Sequence, residues 1–198
     1  RALFPDTPYA HDSGGDPDCI PKLSWEALRD FHARYYAPSN CRIFLCGNIS
    51  TEEQLRFLDE QYLSNMEPAK AVPAVPKADP WEEPRSLSVP YPASEGQKSI
   101  VLVSWLCADT RDTEEVIALA ALSELLLGHD GAPLNRALVE SGLGEDMAPA
   151  TGLEGDLRET VFTVGLRGVH TQHAEKVQTL ILDTLKQLVD NGIAEADK

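Results

Sequence analysis

Five histidines, four cysteines and one glycine–aspartate turn are the residues of this 198-residue chain whose types could carry chemistry. Ser13-Gly14-Gly15-Asp16 could in principle bring backbone N–H groups close to a phosphate. A phosphate loop needs G-x-x-x-x-G-K-[ST] or G-x-G-x-x-G between a strand and a helix. Here Asp12 and Asp16 flank the two glycines instead. Carboxylates repel phosphate, so the stretch reads as a turn that uses the backbone freedom of glycine.

His170 and His173 stand three apart in HTQH, with no carboxylate or cysteine at ligand spacing. Neither H-E-x-x-H nor H-x-x-E-H occurs, so no metal site is expected from the pair. His129-Asp130 follows an expected helix end, where an imidazolium suits the dipole. No serine or cysteine nucleophile is placed beside it. Of the pairs Glu52-Glu53, Glu82-Glu83 and Glu114-Glu115, two fall in first helical turns, where negative charge is stabilised. Cys19, Cys41, Cys46 and Cys107 form no C-x-x-C motif. Cys41 and Cys46, on one expected strand, point to opposite faces and cannot readily bridge. The reading is buried free thiols in a reducing compartment, the cytoplasm or an organelle matrix. By residues alone, neither a catalytic constellation nor a metal site is present.

The elements that would position these residues fall into two blocks. Ser24 is a helix cap, and Trp25, Leu28, Phe31 or His32, and Tyr35 recur at helical spacing up to Pro38. CRIFLCGNI, from Cys41, reads as a strand buried on both faces. Ser50 and Glu53 form a capping box before a second helix with Leu55, Leu58 and Tyr62 inside. Helix, strand, helix has no sheet of its own, so the strand's neighbours must come from elsewhere. From Asn65 to Pro84 five prolines mark a stiff linker.

In the second block, RSLSVPYPA alternates Leu87, Val89 and Tyr91, with Pro90 demoting it to an edge strand. KSIVLVSWLC reads as a central strand. Asp112 starts a helix to Leu127 that Gly128 stops, and Pro133 starts a shorter helix closed by Gly142. RETVFTVGLRG is a strand with Phe162, Val164 and Leu166 on one face, and an extra strand lies near Met147 to Thr151. Thr171 is read as the cap of a last helix with a stripe of Ala174, Val177, Leu180 or Ile181, Leu185 and Leu188, ending at Asn191-Gly192. The fold class is α+β: a mostly antiparallel sheet with helices packed on one face, incomplete at both ends. The domain reading is 1–64, a linker at 65–84, and 85–198.

Composition narrows the function classes. Hydrophobic residues make up 42% and charged residues 25%, as in globular proteins. No apolar run approaches the ~20 residues that span a bilayer. The net charge is -15. Residues 1–80 hold 8 basic and 12 acidic groups, and the remainder 9 and 20. Such a surface disfavours nucleic acid and anionic lipid as partners and is compatible with basic peptides. A first residue that is Arg and a last segment that looks like a helix beginning suggest a piece of a longer polypeptide.

DSGGDPDCIPKLSWEALRDFHARYYAPSNCRIFLCGNIS resembles the end of the first domain in zinc peptidases of the pitrilysin–insulinase family. Ser13 to Pro17, Phe31, His32, Tyr35, Tyr36, Pro38, Ser39, Asn40 and Gly47 fit that family's pattern. The SGGDP turn resembles the presequence-protease branch. LSELLLGHDGAPLNRALVESGLGED, from Leu122 to Asp146, is similar to the start of that branch's second, non-catalytic domain.

The resemblance implies a long chain of four related α+β domains closing as a chamber around unfolded peptides, which add a strand to a sheet edge. It also implies zinc held by an H-x-x-E-H motif of the first domain and a distant glutamate, the motif's own glutamate acting as general base. That motif is absent here, so no zinc ligand and no catalytic residue transfers. The piece is expected to bind no zinc and to be inactive, as chamber wall. Ser13, Gly14, Gly15 and Asp16 are then a structural turn or part of the chamber lining. The alternative is an inert homologous scaffold or interaction module. For residues 1–64, packing against a neighbouring copy, a self-association, or against the second domain both stay open.

Overall fold

The computed structural model describes residues 2–67, 70, 72–92 and 98–193. The chain divides into two compact units, Pro8–Val75 and Pro76–Lys198 joined by Arg1–Thr7.

The Pro8–Val75 unit carries two helices, α1 (Trp25–Tyr35) and α2 (Thr51–Gln61), with short 3₁₀ turns before, between and after them. Ser24 sits extended before α1, and its Oγ accepts the Ala27 N–H at 3.1 Å, satisfying one orphan donor of the first turn. At the other end Asn40 Nδ2 donates to the Tyr35 carbonyl at 2.9 Å, which explains why Pro-Ser-Asn follows the helix. Ser50 is the N-cap of α2, but its side chain makes no capping bond, so the expected box with Glu53 does not form. A 2.9 Å Arg56–Glu52 pair supports the exposed face of α2 instead.

None of the described residues of this unit is buried. Trp25, Leu28, Phe31, Leu55 and Tyr62, spaced as helix stripes, are all exposed. The expected strand from Cys41 is not one: residues 41–46 join no ladder, and Phe44 is 90% exposed. A strand needs a partner for its N–H and C=O groups and a surface on each buried face. No such partner lies among the described residues. Cys41 and Cys46 are therefore exposed, which corrects their reading as buried thiols, and Cys19 is exposed too.

The second unit is a four-stranded antiparallel sheet with helices α3 (Thr113–Leu127), α4 (Pro133–Glu140) and α5 (Ala174–Asn191). Strand β1 (Ser99–Asp109) runs against β4 (Glu159–Val169), with Val101 opposite Leu166, Val103 opposite Val164 and Trp105 opposite Phe162. On its other side β4 pairs β2 (Asp146–Met147) and β3 (Gly152–Glu154). The central strand is thus β4. β1, expected there, takes an edge among the described strands. Residues 85–92 form no strand, and Leu87 and Val89 are exposed. Pro90 has no N–H to give a ladder.

Asp112 caps α3 through its Oδ1 on the Glu115 N–H at 3.2 Å. Pro133 opens α4, where its missing N–H costs nothing. α5 ends at Gly192, whose φ of 76° suits glycine. Thr171 does not cap α5. It lies in a 3₁₀ turn before the helix, its hydroxyl 3.2 Å from that of Ser99. The core is one face of β4 meeting the helical stripes: Val164 and Leu166, two apart, with Val169 joining them after the register shift at Gly168, against Leu126, Leu134, Leu138, Val177 and Ile181. Seven of these eight bury their side chains fully, so this layer holds the unit together.

Candidate functional site

Ser13–Asp16 forms a tight exposed turn built on aspartates. Asp12 Oδ1 accepts the Gly14 N–H at 2.8 Å, and the Gly15 N–H reaches the Asp12 carbonyl at 3.1 Å. Asp16 Oδ1 accepts the Asp18 N–H at 2.9 Å. These are Asx turns, in which a short carboxylate replaces a backbone acceptor. Gly15 has φ 88°, which an L side chain rarely adopts. The Gly14 N–H is thus engaged by a carboxylate and the Gly15 N–H by a backbone carbonyl of the turn itself.

The two histidines of HTQH come near each other, ring centroids 6.0 Å apart and nearly perpendicular. Among the described residues no group of three or more His, Cys, Asp or Glu could hold a metal ion. The pair alone does not fit zinc, which takes three or four protein ligands.

Two features that the residue types did not announce lie in the second unit. One is an apolar recess of about 330 Å³ between the sheet and helices α3 and α5, lined by Trp105, Cys107, Leu119, Leu126, Phe162 and Leu185 among others. Cys107 faces it as a partly buried thiol, with Sγ donating to the Trp105 carbonyl at 3.6 Å. Burial pushes the thiol pKa up, and the charge of Glu115 pushes the same way. A thiol held protonated is a poor nucleophile.

The other is a polar cluster at the end of the β1–β4 ladder. Asp109 accepts from Arg158, from Arg111 Nε and Nη2 at 3.2 and 3.1 Å, and pairs with Lys77 at 3.3 Å. The hydrogen bonds from Arg111, with those from Arg158 and Lys77, hold its carboxyl well below the usual carboxylate range. A carboxylate locked in its charged form among cations is a structural tie, not a proton-transfer group. The sequence hint was slight: an acid closing β1, a base two residues on, and another base just before β4.

The geometry defines a one-faced α+β domain in which the Asp109 cluster ties the end of the β1–β4 ladder. The model of the "Peptidase M16 inactive domain" matches residues 22–197. A mitochondrial presequence protease of Mus musculus is 37% identical over 198 residues, covering 98% of this chain and 19% of the relative. Protein HypA of Clostridium perfringens is 36% identical over 197 residues, covering 98% and 20%. A protease from Helicobacter pylori superimposes with TM-score 0.60 at 20% identity, over 92% of this chain and 44% of that one, a likeness of fold. The chain belongs to the peptidase M16 family, in the region of its inactive domain. It spans about a fifth of the length of the curated relatives it matches.

Proposed function

We propose that this chain is non-catalytic wall of a zinc-dependent endopeptidase that degrades unstructured peptides inside a closed chamber. The single observation that carries the reading is the match of the inactive-domain model to residues 22–197. The names of the relatives, presequence proteases among them, support peptides as the substrate class. In this reading residues 1–64 close a catalytic-type domain, 65–84 link, and 85–198 form the second domain. Ser13–Asp16 is then a structural turn beside the chamber, and zinc and the peptide-cleaving groups belong to another part of the full-length enzyme. The interior compartment is the cytoplasm or an organelle matrix, where exposed thiols such as Cys41 and Cys46 stay reduced.

The second domain's acidic excess favours basic peptides by simple charge attraction. The test compares the 198-residue chain with the full-length polypeptide on matched basic and acidic unstructured peptides, with and without zinc. The expected result is no cleavage by the short chain, zinc-dependent cleavage by the long one, and a basic preference that fades with salt. Chelator-sensitive cleavage by the short chain would overturn the proposal.

A further inference from the structure

Asp109 and Glu159 are direct partners in the β1–β4 register. Like charges opposite each other destabilise a ladder, and both of these are nearly out of solvent. The Asp109 side chain is 13% exposed and Glu159 8%. A pair of opposed, sheltered carboxylates needs donors. Arg158 and Arg111 serve Asp109 from within the domain. Two further donors come from the proline-rich segment. Lys77 Nζ lies 3.3 Å from Asp109 Oδ2, and the Ala78 N–H donates to Glu159 Oε2 at 2.7 Å.

We propose that this acidic ladder end is a docking point for the proline-rich strap, gripping it at Lys77 and Ala78 so that the strap beyond travels with the second domain. Two successive residues of the strap meet two facing carboxylates, one through a side chain and one through the backbone. That arrangement fixes register as well as position. Trp81, half-buried, and Arg85, whose guanidinium lies 4.4 Å above the indole ring, continue the ordered path. The compact second unit resumes at Pro76, one residue before the grip. A strap of this composition is stiff, so a fixed point on it sets the direction in which it leaves the domain.

The test acts from the strap side, leaving the buried carboxylates and Arg158 in place. Lys77→Ala with Ala78→Pro removes the cation and the N–H. A glutamate-specific protease then reports access to the Glu82–Glu83 bond, and hydrogen exchange reports the Ala78 amide in the unaltered 198-residue chain. The expected results are a protected Ala78 amide and roughly tenfold faster cleavage at Glu82–Glu83 in the double variant. An Ala78 amide exchanging as freely as an unfolded one, or equal cleavage of both proteins, would overturn the proposal.

Discussion

Replacing Ile181 by alanine tests the packing of the second unit where it is tightest. Ile181 lies on α5 with no exposed surface, within the cluster of Leu126, Leu134, Leu138, Val164, Leu166, Val169 and Val177. The substitution removes three carbons from this site. At about 0.8 kcal/mol per buried carbon the transfer loss is roughly 2.4 kcal/mol. A cavity left in the layer raises the cost toward the ~2–5 kcal/mol range of such truncations. Alanine is the better helix former, which returns about 0.4 kcal/mol. The net expectation is a loss of about 2–4 kcal/mol, read from urea unfolding followed by helical circular dichroism. Phe44→Ala is the control. Phe44 is 90% exposed, so its removal should change stability by less than about 0.5 kcal/mol. Equal effects of the two variants would refute the assignment of the core to the β4–α5 layer.

Three further outcomes follow from individual contacts. A methyl group on Gly165 would sit 2.1 Å from the Val101 carbonyl oxygen and 2.8 Å from Leu102 Cδ2. Gly165→Ala should therefore cost about 1–3 kcal/mol in the same unfolding assay, and a neutral result would contradict the β1–β4 register. Asp112→Ala removes the cap of α3 and should cost about 1 kcal/mol, while Asp112→Asn should restore most of it. Asp109 is held low by Arg111, Glu145 by Lys98 and Asp146 by Arg167. Below the ordinary carboxylate range the unfolded chain takes up protons that these folded groups refuse. Their stabilisation is thus present above about pH 4 and lost as pH falls through the depressed values. The unfolding midpoint should fall between about pH 4 and pH 2, and a flat profile there would contradict the pairings.

The second unit was legible in the sequence because its signals are local and agree. Asp112 caps, Pro133 and Gly128 punctuate, and Val177 and Ile181 recur at helical spacing on the face they bury. Strand order was not legible. β1 and β4 are both apolar, and only the short ladders of β2 and β3 on β4 make β4 central. Cys41–Cys46 misled for a related reason. An apolar run states that it needs neighbours without supplying them, and in this chain it remains open to solvent. Thr171 precedes α5 by one 3₁₀ turn, a shift of the kind that makes helix ends hard to place. The Asp109 cluster left only a slight trace in the sequence. Lys77, Arg111 and Arg158 are far apart in sequence and meet only because the ladder ends where it does.

Native-state hydrogen exchange across the whole chain addresses the central claim most directly: an α+β layer with a buried core, and a helical unit none of whose described residues is buried. Amides of Val161–Leu166 in β4 and of Val177–Leu185 in α5 should exchange slowest, near the rate of global unfolding. Those of Cys41–Cys46 should exchange almost as fast as an unfolded peptide. Slow exchange at Cys41–Cys46 matching that of β4 would contradict the account, because it would require a sheet in the first unit as stable as the one in the second.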